Sequence, residues 1–139
     1  MAQSPHAPIA TATADIATTR YKVSLRTGNH ALVGDEPLPE GGDAGPSPFG
    51  LVLAGLGACT AITLRMYAER KSWPLEAVHV ALEFRWVGEG SERRAHIERE
   101  LRLDGLLDQE QRARCLEIAE KTPVTRALKA GIVIQTALR

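Results

Sequence analysis

The stretch GPSPFGLVLAGLGACTAITLRMYAERKSWP, residues 45–74, decides how the rest of this chain is read. No charge falls between Ala44 and Leu64, and the pattern then turns basic and amphipathic at Arg65. Proline has no N–H and clashes with the preceding turn, so Pro46 and Pro48 suit the start of a helix but not its interior. Pro74 disfavours helix in the residue before it, which places the helix end near Ser72. The spacing predicts one helix of roughly 24 residues, about 36 Å long at 1.5 Å per residue. Cys59 lies near its middle.

That helix is apolar nearly all round, the mark of a fully buried segment or of a membrane span. Gly50, Gly55, Gly57, Thr60 and Thr63 interrupt it, and the rest of the chain is charged, which favours burial over a span. Small residues recur every four positions at Gly50, Ala54 and Ala58, and again at Gly57 and Ala61, forming a ridge that admits a second backbone. A chain of 139 residues has little with which to cover such a helix on every side. A second copy is therefore expected to help cover it, as an intimate homodimer.

The length suits one domain with a real core. Lysine plus arginine and aspartate plus glutamate both number 17, so the chain has no net charge and no basic bias toward nucleic acid. Two cysteines do not make a disulfide scaffold. The N-terminus lacks the basic-then-apolar pattern of a secretory signal, and the simplest expectation is a cytoplasmic protein with reduced thiols.

Residues 1–14 are small, polar and without apolar periodicity, and are expected to form a flexible tail or exchanged arm ahead of a single domain over 15–139. From Thr19, Tyr21, Val23 and Leu25 alternate with Arg20, Lys22, Ser24 and Arg26, which predicts a half-buried strand. Gly28-Asn29 reads as a hairpin turn, with the return strand from His30 to Val33. A proline- and glycine-rich loop, DEPLPEGGDAG, leads from there into the long helix.

After Pro74 the period changes to two. Val78, Val80, Leu82, Phe84 and Trp86 alternate with His79, Glu83 and Arg85, and Gly88 to Ser91 form a turn. Ile97, Leu101 and Leu103 then alternate with Glu98, Glu100 and Arg102 in a partner strand with one wet face. Asp108 is a good N-cap, and Gln111 completes a capping box. Cys115, Ile118, Ala119 and Thr122 share one helical face. Pro123 interrupts that helix, Gly131 ends the turns that follow, and Ile132, Ile134, Thr136 and Leu138 predict a last strand. The class is α+β, with curved antiparallel sheets around a long buried central helix.

Cys59 is the obvious nucleophile on the central helix, although free cysteine often only fills space. It lies about three turns in, beyond reach of the helix dipole. A reactive thiolate there needs a cation, such as Arg20 or Arg26 from the first strand. Cys115 lies on the apolar stripe of an amphipathic helix and reads as structural. The four histidines lack metal-ligand spacing, and no cofactor or metal is expected. Gly55 to Gly57 fall inside a helix, so they are no phosphate-binding turn.

These residues together resemble the OsmC/Ohr family, the osmotically inducible protein C and organic hydroperoxide resistance proteins. The resemblance runs from Tyr21 to Leu138. It is carried by DEP at 35–37, GGDAGPSP at 41–48, LGACTAITLRMYAERKSWPLE at 56–76 and EIAEKTPVTRAL at 117–128. It implies an intertwined homodimer with sites at the subunit interface, and thiol peroxidase chemistry on organic hydroperoxides. Cys59 matches the peroxidatic cysteine. The family's second cysteine falls in a Cys-Pro-Val-His segment, which here reads Thr122-Pro123-Val124-Thr125, so both the thiol and the imidazole are replaced. The glutamate that follows the helix-start proline is replaced by Phe49 and Gly50. Cys115 lies seven residues before Thr122, about 10.5 Å along a helix, too far to serve in its place. The resemblance therefore points to a single-cysteine hydroperoxide reductase or redox-responsive protein reset by an external thiol. The alternatives are a dimer that binds an apolar small molecule at its interface, and a purely structural role.

Overall fold

The computed structural model describes residues 6–139. In chain order its elements are β1 (Ala12–Asp15), β2 (Val23–Thr27), β3 (His30–Gly34), α1 (Pro48–Lys71), β4 (Leu75–Val87), β5 (Arg94–Gly105), α2 (Gln109–Ala119) and α3 (Pro123–Ala130), with a 3-10 turn at Gly90–Glu92. This is the α+β class expected. Contacts sort the chain into two compact units, one ending at Leu51 and the other spanning Val52–Arg139, where the sequence predicts one domain. Each sheet is built wholly from the strands of one unit.

In the first unit, β2 lies between β1 and β3, antiparallel to both. Gly28 takes φ +57° in the two-residue turn, a conformation that costs glycine little. Of the tail expected over residues 1–14, the last three belong to a strand instead: Ala12–Asp15 pair with Ser24 to Thr27, while residues 1–5 lie outside the described residues. This pairing comes from backbone hydrogen bonds, which a run without apolar alternation does not advertise. The predicted first strand also starts later, at Val23, because residues 19–21 turn.

The loop after β3 is held by Asp35. Its carboxylate accepts from Glu36 N at 2.7 Å and Ala44 N at 3.1 Å, and its own N–H donates to Pro46 O at 3.1 Å. The Ala44 N–H above all holds this carboxyl below its usual value, against the opposing effect of burial. Gly45 passes so close to β3 that a Cβ would lie 2.0 Å from Val33 O. The Ser47 hydroxyl then accepts from Gly50 N at 3.1 Å, satisfying one free donor of the first turn of α1.

The second unit carries the rest of α1, which has the length and end points that its prolines predict. Within one chain it is buried on one side only. Leu56, Thr60, Leu64 and Ala68 are buried in one narrow stripe, while Ile62 and Met66 are each 58% exposed. One chain covers one side of such a rod. By length and composition alone α1 is also apolar enough to cross a membrane, a test that the core helices of soluble proteins pass too.

β4 and β5 form a long antiparallel ladder with a bulge near Leu75. Val78 faces Leu103, Val80 faces Leu101 and Phe84 faces Ile97, which sets the apolar side as predicted. Ala68, Leu75 and Leu107 form a small core, with Trp73, Val78 and Leu103 packed on it. Arg65 does not emerge into water as its place in the basic run suggests. It folds back to donate to Leu75 O at 2.6 Å and Glu76 O at 3.0 Å. Asp108 and Gln111 form the capping box reciprocally. Pro123 opens α3 and Gly131, at φ +85°, closes it.

The last strand is absent. Beyond α3 residues 131–139 take no regular structure, and Val133, Ile134 and Leu138 are almost wholly exposed. Alternation alone does not make a strand; a partner edge must supply the hydrogen bonds.

Candidate functional site

Cys59 is half-buried on α1, three residues past the buried Leu56 and one before the fully buried Thr60. Val52, Ile62 and Met66 lie at helical spacings that place them on its side of the helix, and all three are exposed. The thiol therefore sits at the margin between the core and an open apolar face.

The side chain that organises the adjoining core is Arg99, which the alternation in β5 conceals. It shares the inward phase of Ile97, Leu101 and Leu103. A charge in an apolar phase is the signal that would have found it. Its side chain is only 11% exposed. Nη1 donates to Thr60 Oγ1 at 3.0 Å and to Thr125 Oγ1 at 2.9 Å. Nη2 donates to Ala119 O at 3.0 Å and to Glu120 Oε1 at 3.3 Å. One guanidinium thus ties the centre of α1 to the end of α2 and the first turn of α3.

The threonines complete the proton pattern around it. Thr60 gives its own proton to Leu56 O at 2.7 Å, leaving its oxygen to accept from Arg99. Thr125 gives its proton to Ala119 O at 3.2 Å, so Thr122 donates across the 2.7 Å gap between the two hydroxyls. Thr122 Oγ1 accepts from Thr125 N at 3.2 Å as the N-cap of α3. Among the described residues, no buried side-chain polar atom lacks a partner. Hydroxyls suit this place because they accept well from a guanidinium, whereas a thiol accepts weakly.

Thr122, expected at the second-cysteine position, is thus fully buried and linked through Thr125 and Arg99 to the residue after Cys59. Cys115 is sealed in the core, and burial pushes its thiol up, against a weaker opposing pull from Arg112. Arg20 and Arg26 both belong to the first unit. Arg20 stacks over Tyr21, with its guanidinium carbon 5.3 Å from the ring centroid. Arg26 is exposed on β2, opposite Thr13 and Ala31. Glu120 caps the open side of the Arg99 cluster. Its bond to Lys129 and the nearby Arg99 hold its carboxyl below the usual value, against the effect of burial. Among the described residues no three His, Cys, Asp or Glu side chains gather as metal ligands.

A second feature lies between α1 and β4. Leu53, Gly57 and Ala61 face Val78, Val80 and Leu82 across an aliphatic groove of about 360 Å³. A Cβ at Gly57 would lie 2.9 Å from Leu82 Cδ1, so a larger residue there would push the end of the Leu82 side chain aside.

Residues 41–137 match the family model described as OsmC-like protein. No curated protein matches the chain. Among solved structures it is similar to an OsmC-like protein from Mycoplasma pneumoniae, with a TM-score of 0.77 and 15% identity over 88% of this chain and 89% of that one. It is similar also to an organic hydroperoxide resistance protein, OsmC, from Legionella pneumophila, with a TM-score of 0.67 and 21% identity over 88% and 90%. An OsmC-like hydroperoxide resistance protein from Jannaschia sp. CCS1 gives a TM-score of 0.56 and 20% identity over 92% and 89%. At these identities the likeness is one of fold.

Proposed function

The chain belongs to the OsmC-like protein family, and from that premise we propose that it is a single-cysteine redox protein that reduces organic hydroperoxides at Cys59. The observation that carries the reading is the placing of the two thiols. Cys59 borders an exposed apolar face, whereas Cys115 is sealed in the core with its thiol pushed up, and a threonine, Thr122, stands where the resemblance puts the second cysteine.

In this reading the Cys59 thiolate attacks the outer oxygen of R–O–O–H. The O–O bond breaks, RO⁻ leaves and takes a proton to become the alcohol, and sulfur is oxidised to the sulfenic acid. An external thiol condenses with that sulfenic acid, releasing water and leaving a mixed disulfide. A second thiol frees Cys59 and carries the oxidation away as its own disulfide. The exposed Val52, Ile62 and Met66 favour an apolar peroxide over hydrogen peroxide.

The same face supports a homodimer. The apolar side of α1 and the bare residues of the C-terminal segment are what a second copy would cover. A reducing compartment such as the cytoplasm supplies the external thiol.

Stopped-flow consumption of cumene hydroperoxide tests the proposal, comparing wild type with Cys59→Ser. Wild type is expected to consume one equivalent in a burst that Cys59→Ser lacks, and equal traces would end the catalytic reading. The groove between α1 and β4 favours a second reading, retention of an aliphatic small molecule. Native mass spectrometry of freshly purified protein, showing added mass that organic solvent removes, would support it.

A further inference from the structure

We infer that Gly55 sets which peroxides reach Cys59, by leaving one flank of its sulfur bare; this rests on the reading that Cys59 is the working thiol. Glycine inside a helix destabilises it relative to alanine, so each one there calls for a reason. The helix α1 holds Gly50, Gly55 and Gly57. A Cβ at Gly50 would lie 3.1 Å from Ser47 Oγ, and one at Gly57 would lie 2.9 Å from Leu82 Cδ1. At Gly55 no atom among the described residues comes within 4 Å of such a Cβ, and the backbone there does not take positive φ. Neither packing within the chain nor backbone conformation accounts for this glycine.

What distinguishes Gly55 is its place one turn before the thiol. A helical side chain is tilted toward the N-terminus and lies over the preceding turn, between the residues three and four positions back. For Cys59 these are Leu56 and Gly55. Leu56 is 5% exposed and turned into the core, so the exposed Gly55 forms the outer flank of the sulfur. Cβ atoms four positions apart on a helix lie about 5–6 Å from each other. The Cys59 sulfur is one bond nearer to that turn, within contact of a methyl placed at position 55. The relation lies inside one helix and holds equally when a second copy covers this face.

The proposed reaction makes use of such a gap. The S–O bond forms in line with the O–O bond that breaks, so the departing RO group lies directly beyond the reacting oxygen. Where R is hydrogen, little room is needed. A branched alkyl or aryl group needs a lane free of side chains, and Gly55 supplies it.

The test compares Gly55→Ala and Gly55→Val with wild type, using hydrogen peroxide and cumene hydroperoxide in stopped flow. Gly55→Val is expected to slow the cumene hydroperoxide burst about tenfold or more and that of hydrogen peroxide less than about threefold, with Gly55→Ala between wild type and valine. Labelling of Cys59 in the folded protein, read by mass spectrometry against the denatured rate, repeats the comparison without redox chemistry: Gly55→Val is expected to slow N-phenylmaleimide more than iodoacetamide. The Tm of Gly55→Ala is expected to equal or exceed that of wild type. Equal slowing of small and large reagents, or no slowing, would overturn the inference. So would dissociation of the dimer by Gly55→Ala in sedimentation, which would show that the glycine receives the backbone of a second copy. A wild type that consumes neither peroxide removes the redox reading, and the two labelling reagents then decide whether Gly55 governs access.

Discussion

Replacing Arg99 by methionine removes four hydrogen bonds while leaving a side chain of similar length. Three go to groups that are almost fully buried: Thr60, Thr125 and the Ala119 carbonyl. The fourth reaches Glu120, which is 51% exposed, and such pairs contribute at most about 1 kcal/mol. A hydrogen bond to a charged group contributes about 1.5–3 kcal/mol when its loss strands the partner. Here the partners are not stranded. Thr60 still donates to Leu56 O, Thr125 still bonds Thr122, and Ala119 O still accepts from Thr125. The lower figure therefore applies to each of three bonds, and burying methionine in place of a guanidinium offsets about 1–2 kcal/mol. The net loss is about 3 kcal/mol, roughly a hundredfold in the folded-to-unfolded ratio. Urea denaturation followed by circular dichroism at fixed protein concentration measures it. Glu120→Gln is the control, with an expected loss under about 1 kcal/mol. An Arg99→Met midpoint equal to wild type, or equal losses for the two variants, would show that the guanidinium does not tie these elements together.

The remaining predictions concern thiols, acid and loop geometry. Iodoacetamide is expected to label Cys59 alone in the native protein and Cys115 only after denaturation, because burial keeps the Cys115 thiol protonated and out of reach; peptide mass mapping reads this directly. Asp35 has a carboxyl lowered in the folded state, so its contribution to stability is full above the ordinary value of about 3.9 and disappears as pH falls through the folded value. Asp35→Asn turns an amide donor toward one of two backbone N–H groups, so thermal melts should show lower stability at neutral pH and a shallower acid slope than wild type. Gly45→Ala forces a methyl against Val33 O and should lower Tm by about 5 °C or more; an unchanged Tm would mean that the loop can move aside. Ile62→Glu puts a charge on the open face of α1 and is expected to convert a dimer to monomer in sedimentation analysis, while leaving the secondary structure intact.

Local rules that act through backbone chemistry were legible in advance. Pro48 and Pro74 bracket α1, Gly28-Asn29 turns the first hairpin, and the Asp108–Gln111 pair caps α2. These are properties of a few neighbouring residues, and the structure repeats them. What depends on a distant partner was not legible. β1 exists because β2 offers an edge, and the alternating C-terminal residues form no strand because no edge meets them here. Arg65 sits in a basic run, yet it bends back to two carbonyls ten and eleven positions on. Arg99 was hidden among the alternating charges of β5, and only its phase distinguishes it from Arg102. Cys59 was visible as a residue type, but its setting beside the Arg99 tie was not.

The chain holds two sulfhydryls, one at the surface of a helix and one walled off in the core. A bridge within the native molecule therefore has only one end available. This makes a non-reducing gel unusually easy to interpret: any oxidised species that migrates differently while the fold is intact contains a second molecule, and its mass names the donor.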